Sequence, residues 1–248
     1  MRTIRLTIAY EGTDFSGFQA QVGRRTVQET VEAAIQRVTG SPTRVAGAGR
    51  TDAGVHAAGQ VISFATESEL AVDQLARAID AGLPADVGIV DALEASRDFH
   101  ARYSARGRGY RYTISNTTAR PVHDRRFVFH WRARLDVGRM DEIAQEFAGR
   151  HDFAAFCGTL RGRERPTSTE RTILRIHCWR AEERVLIDTA ADGFLPRMVR
   201  NLTGTLIRAG MNQVTGAEVR DILAGSRPRV PTVTAPAQGL SLTHVWYD

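Results

Sequence analysis

The residues best suited to chemistry lie in GAGRTDAGVHA, Gly47 to Ala57, where an Arg-Thr-Asp triplet is flanked by glycines. Glycine admits conformations barred to other residues and lets a large ligand approach the backbone. Asp52 is thereby set at the tip of a tight loop, just before the strand-like run Gln60 to Phe64, with Arg50 and His56 nearby. A carboxylate held that way can serve as a nucleophile if it stays ionised. Burial raises a carboxyl pKa and a neighbouring cation counters the rise. Two rival glycine-loop chemistries fail on residue type. A dinucleotide fingerprint needs its third glycine earlier than Gly54 and a helix after it, and a phosphate-binding loop needs a lysine, of which the chain has none. Taken alone, the segment also reads as a decorated turn with Arg50 paired to Asp52.

The elements that must carry this loop are legible in the periodicity. Ile4, Leu6, Ile8 and Tyr10 alternate with polar residues, as on a half-buried strand. Thr26 and Glu29 form a capping-box pattern that opens a helix with Val27, Val31, Ile35 and Val38 on its apolar stripe, ended by Gly40, Ser41 and Pro42. Short strands are expected at 43–48 and 60–66, a helix on Val72, Leu75, Ala76 and Ile79, and a strand through Val87, Ile89 and Leu93. That order, β-α-β-β-α-β, recurs. It runs through a strand at 109–115, a helical stripe on Met140, Ile143, Ala144 and Phe147, strands at 172–180 and 184–190, helices at 197–210 and 216–224, and a last strand at 239–247. The expectation is an α+β fold of two ferredoxin-like split β-α-β subdomains. Residues 1–105 form the N-terminal one and 106–248 the C-terminal one. Their antiparallel and mixed sheets are expected to join edge to edge, with helices on one side and a catalytic cleft between the halves. Residues 117–126 read as a polar loop and 157–170 as an arginine-rich insertion.

Composition narrows the function classes. The chain has 248 residues and a net charge of +5, and all 33 of its basic residues are arginine. No apolar run approaches the ~20 residues that cross a bilayer, and the charged strand pattern at the start is unlike a signal peptide, so cytoplasmic residence is expected. Cys157 and Cys178 form no CxxC pair and have no histidine at ligand spacing, which predicts two reduced, buried thiols and no structural zinc. Arginine clusters at 106–112, 161–165 and 196–200 suit a phosphate-rich partner, because guanidinium forks onto phosphate and stacks on bases.

Read in order, YEGTDFSGFQAQ (Tyr10 to Gln21), RTVQE (Arg25 to Glu29), GAGRTDAGVHA, FHARYSARGRGYRY (Phe99 to Tyr112), GFLPRMVRNLTG (Gly193 to Gly204) and APAQGLSL (Ala235 to Leu242) closely resemble the tRNA pseudouridine synthase A family over nearly the whole chain. Departures are few: Phe18 replaces a tryptophan, and Gly109 stands where a basic residue is common. The resemblance implies an isomerase that converts uridine to pseudouridine in the tRNA anticodon stem-loop, at positions 38, 39 and 40. It implies no nucleotide, metal or other cofactor, and it implies a homodimer.

The resemblance also implies roles. Asp52 matches the family's essential aspartate. Tyr110 matches its active-site tyrosine and is expected to stack on the target uracil, with Tyr112, two residues on, left to the core. Arg200 matches the basic residue that pairs with the catalytic carboxylate. Arg50 is expected to fill the gap left by the extruded base. Arg106, Arg108, Arg111, Arg161 and Arg163 are the candidates for tRNA phosphates. His56 is expected to brace the loop and Asp14 to shape a turn. Two competing readings remain: a non-catalytic RNA-binding module or tRNA chaperone on the same fold, and a carboxylate-based N-glycosidase that would release free uracil.

Overall fold

A computed structural model describes residues 1–158, 167–226 and 234–247. The strands are β1 (Arg2–Tyr10), β2 (Ala46–Gly47), β3 (His56–Thr66), β4 (Val87–Ala95), β5 (Gly107–Ser115), β6 (Phe129–His130), β7 (Gly149–Asp152), β8 (Glu170–Ala181), β9 (Arg184–Ala191) and β10 (Leu240–Trp246). The helices are α1 (Val27–Thr39), α2 (Val72–Ala81), α3 (Val137–Ala144), α4 (Met198–Gly210) and α5 (Gly216–Leu223). Two compact units result, Met1–Arg108 with Ser241–Asp248, and Gly109–Leu240. The fold is α+β, with mixed strand pairing and helices on one face.

In the first unit the strands run in the order β4-β1-β3, with β2 also on β3. β1 is antiparallel to both neighbours, and Ile4 and Leu6 lie opposite Phe64 and Ile62 of β3. Ile4, Leu6 and Ile8 are fully buried together with Ile35 of α1 and Leu75 and Ile79 of α2. Each such side chain contributes ~1.5–3 kcal/mol of burial. Thr26 caps α1 by accepting the Glu29 N–H, and Gly40 ends it in the left-handed region at φ +72. The buried stripe is Val27, Val31, Ala34 and Ile35, whereas Val38, near the helix end, stays half-buried.

The last strand departs from the periodic reading, which gives residues 239–247 to the second half. Ser241 and Leu242 pair parallel with His56 and Ala57 of β3, and the chain from Ser241 on clusters with the first unit. Alternation identifies a strand but not its partner. Gly59 permits the pairing, because an added Cβ there would lie 2.3 Å from the Thr243 carbonyl oxygen.

In the second unit the order is β5-β9-β8-β7, with β6 parallel to β5. β9 and β7 are each antiparallel to β8, against which α3 packs; α4 packs on α3. The stripe expected to carry one helix through Phe147 divides. α3 stops at Ala144, and residues 145–147 tighten into a 3-10 turn that still buries Phe147 completely. β6 and β7 have no counterpart in the sequence reading, since two to four residues are too few to show alternation. Cys178 is buried as expected, but Cys157 is only half-buried; both thiols are free. Burial pushes each thiol pKa up, and Asp141 adds to the rise at Cys178. No described helix is long and apolar enough to cross a membrane.

Candidate active site

The Arg-Thr-Asp loop is built against the end of β1 and the chain that follows it. Ala48 donates to the Val61 carbonyl of β3, and Gln60 Nε2 donates to the Gly49 carbonyl at 2.8 Å. Thr51 is buried, sharing a 2.8 Å hydrogen bond with the Tyr10 hydroxyl, and its carbonyl accepts from Phe18 N–H at 3.1 Å. Burial pushes the Tyr10 pKa up to about 12, against the opposing effect of hydrogen bonds to Thr51 and Gln60. Gly17 passes directly beneath, at φ +96; a Cβ there would lie 2.8 Å from the Thr51 carbonyl oxygen and 3.3 Å from the Asp52 carbonyl carbon. A turn from Asp52 to Val55 follows, closed by a 3.1 Å backbone bond. Thr51 is therefore held by two hydrogen bonds and the turn after Asp52 is closed, while Asp52 itself is half-buried and Arg50 is exposed.

His56 braces this loop, as the sequence suggests. It is 4 % exposed, and its Nδ1 accepts the Gly12 N–H at 3.0 Å, which leaves that nitrogen no lone pair for removing a proton. Phe18, the departure from the family's tryptophan, packs its ring on Gly47, where a Cβ would lie 2.4 Å from the ring. The YEGTDFSGFQ, RTVQE and GAGRTDAGVHA motifs thus form one hydrogen-bonded body within the first unit.

GFLPRMVRNLTG and the start of APAQGLSL meet in the second unit. Arg200 Nε donates to the Ala235 carbonyl at 2.7 Å, and Ala235 N–H returns to the Arg200 carbonyl at 3.1 Å. Asn201 is fully buried; its Nδ2 donates to Phe156 and its Oδ1 accepts from Thr234, both at 2.7 Å. Arg200 lies in the first turn of α4, where the helix dipole favours anions, and that turn holds no acid. Arg197 precedes it in the left-handed region at φ +59, a conformation that costs ~1–2 kcal/mol for a residue with a side chain. Two local preferences are broken at one helix start, a cost that the rest of the second unit must offset.

Tyr110 is 8 % exposed and meets Phe194 edge-on at 5.1 Å. Tyr112 is fully buried, donates to the Pro236 carbonyl at 2.8 Å and leaves no room for a Cβ at Gly239. Its pKa is pushed far up by burial, with Arg200 opposing.

The remaining arginines separate by what they touch. Arg106 is exposed. Arg108 is half-buried and bonds the Ala48 carbonyl through Nε at 3.2 Å and Nη2 at 2.8 Å, tying it to the approach to the triplet. Arg111 is exposed but forks onto Asp188 at 2.7 and 2.8 Å and lies 5.2 Å from the Trp179 ring centre. That carboxylate neutralises Arg111 locally and raises its pKa. Arg161 and Arg163 lie outside the described residues. Thr51, Phe194 and Asn201 carry no signal in residue type and are marked in the sequence only by their place inside the quoted motifs.

A family model described as tRNA pseudouridine synthase matches residues 6–104 and 143–248. The tRNA pseudouridine synthase A of Acetivibrio thermocellus is 40% identical over 247 residues, the full length of both chains. Its counterpart in Roseiflexus sp. is 44% identical over 252 residues, 100% of this chain and 91% of that one. Tyr10, Gly17, Asp52, Tyr110 and Arg200 thus stand in a sequence matched from end to end, and the chain belongs to the tRNA pseudouridine synthase A family.

Proposed function

We propose that this protein isomerises uridine to pseudouridine in the tRNA anticodon stem-loop, at positions 38, 39 and 40, with Asp52 as nucleophile. The observation that supports it most is the fixed presentation of Asp52, with Thr51 bonded on one side, a closed turn on the other and Gly17 beneath. The target base first leaves its stack, which costs a few kcal/mol. The Asp52 carboxylate then attacks either C1′ of the ribose or C6 of the uracil. The bond from N1 to C1′ breaks, the uracil turns, a bond forms between C5 and C1′, and the bond to Asp52 breaks to return the carboxylate. The C5 proton is lost to solvent and N1 gains one, so atoms balance without redox chemistry or phosphate transfer. Tyr110 stacks on the uracil, Arg200 offsets the carboxylate charge, Arg50 occupies the space the base vacates, and Arg106 binds phosphate. The protein acts on tRNA in the cytoplasm as a homodimer.

The test is tritium release from tRNA carrying [5-³H]uridine, with pseudouridine mapped in the product. Wild-type protein is expected to release tritium and leave the base attached. Asp52→Asn is expected to bind tRNA and release none. Free uracil in the product would mean an N-glycosidase, and tRNA binding by wild-type protein without release would mean an RNA-binding module or chaperone.

A further inference from the structure

Residues 99–106 of the first unit form a braced turn that leaves one aromatic ring exposed. Ala101 is fully buried and pinned on both sides: its N–H donates to Ser63 Oγ of β3 at 3.0 Å, and its carbonyl accepts the Tyr247 hydroxyl at 2.9 Å. His100 and Ser104 then close the turn. Ser104 N–H bonds the His100 carbonyl at 2.9 Å, and Ser104 Oγ accepts His100 N–H at 3.1 Å. His100 Nδ1 accepts the N–H groups of Arg102 and Tyr103 at 3.2 and 3.3 Å.

Every one of these bonds fixes backbone around Tyr103, yet its ring is 76% exposed. It lies 4.4 Å from the His100 ring at 32°, with the Arg102 guanidinium 5.6 Å from its centre. A flat ring left in water adds nothing to the core, while its rigidity lowers the entropy lost on stacking. The exposed Arg102 beside it, and Arg106 exposed three residues on in the chain, favour a polyanion. Arg108 connects the turn to the catalytic loop, because one nitrogen, Nη2, donates to both the Arg102 carbonyl at 2.9 Å and the Ala48 carbonyl at 2.8 Å.

We propose that Tyr103 is a stacking platform for an unpaired nucleobase of tRNA, held in register with the Arg-Thr-Asp loop by Arg108. The inference rests on the reading of the protein as a tRNA-modifying enzyme. Tyr103→Ala and Tyr103→Phe are compared with wild type in tRNA affinity by filter binding and in kcat and KM for pseudouridine formation. Tyr103→Ala is expected to weaken binding by roughly 5- to 150-fold, the range for one stacked base, and to raise KM with kcat retained. Tyr103→Phe, which keeps the ring, is expected to restore both. The melting temperature of either variant stays at the wild-type value, since the side chain is exposed. Wild-type affinity in Tyr103→Ala overturns the proposal. So does a Tyr103→Phe variant as weak as alanine, which would assign the hydroxyl, or a changed mass in solution at unchanged affinity, which would assign a protein contact. Absence of pseudouridine from the wild-type reaction would instead sink the enzymatic reading, and the affinities would still decide the platform.

Discussion

Gly17 offers a direct way to displace the Asp52 loop without touching a charged group. Alanine at this position faces two penalties. The φ of +96 is costly for any residue with a Cβ, by ~1–2 kcal/mol, or a fall of roughly 2–8 °C in melting temperature for a chain of this length. The new methyl would also sit 2.8 Å from the Thr51 carbonyl oxygen, so the backbone must retreat by about 0.6 Å to restore ordinary contact. A misplacement of ~1 Å in a catalytic group can cost ~100-fold in rate, so a loss of about tenfold in kcat is expected. Gly23→Ala is the matched control, because φ is +69 and nothing lies within 4 Å of the added Cβ. It carries the conformational penalty alone and should keep kcat. Tritium release gives the rates, and thermal melts give the stabilities. If Gly17→Ala turns over within twofold of Gly23→Ala, the claim that this contact sets the position of Asp52 is wrong.

Other outcomes follow from burial and charge. Tyr10 and Tyr247 have pKa values raised to about 12 by burial, and Cys178 is raised too, so the folded chain holds these groups neutral where the unfolded chain ionises. Their stabilising effect is complete below pH ~8 and is lost as pH rises towards 12, so the urea midpoint should fall across that window; a flat midpoint from pH 9 to 11 would contradict it. Asn201→Ala strands the Phe156 carbonyl and the Thr234 hydroxyl and should cost ~1–3 kcal/mol. An unchanged urea midpoint would mean that these two bonds do not stabilise the second unit.

Much of the scaffold was legible because its signals are local. Thr26 and Gly40 mark the ends of α1, and the spacing of Leu75 and Ile79 fixes the buried face of α2, through interactions within a few residues. The motif with Asp52 stood out for the same reason, since glycines and a charged triplet are visible in eleven residues. Short strands such as β6 were not legible, because their conformation comes from a partner distant in sequence. Arg108 and Arg111 looked alike on one strand, yet one braces carbonyls of the loop and the other forks onto Asp188.

The sequence alone determined the family, the order of the helices and of the longer strands, and the prominence of Asp52. Those properties reside in residue types at short spacing. Tertiary structure decided that β10 joins β3, that His56 is bonded through Nδ1 to Gly12, that Gly17 supports the triplet, and that Tyr103 stands exposed on a braced turn. Each of these depends on which distant segments come within about 3–5 Å, a range at which sterics and hydrogen bonding act and which linear spacing does not encode.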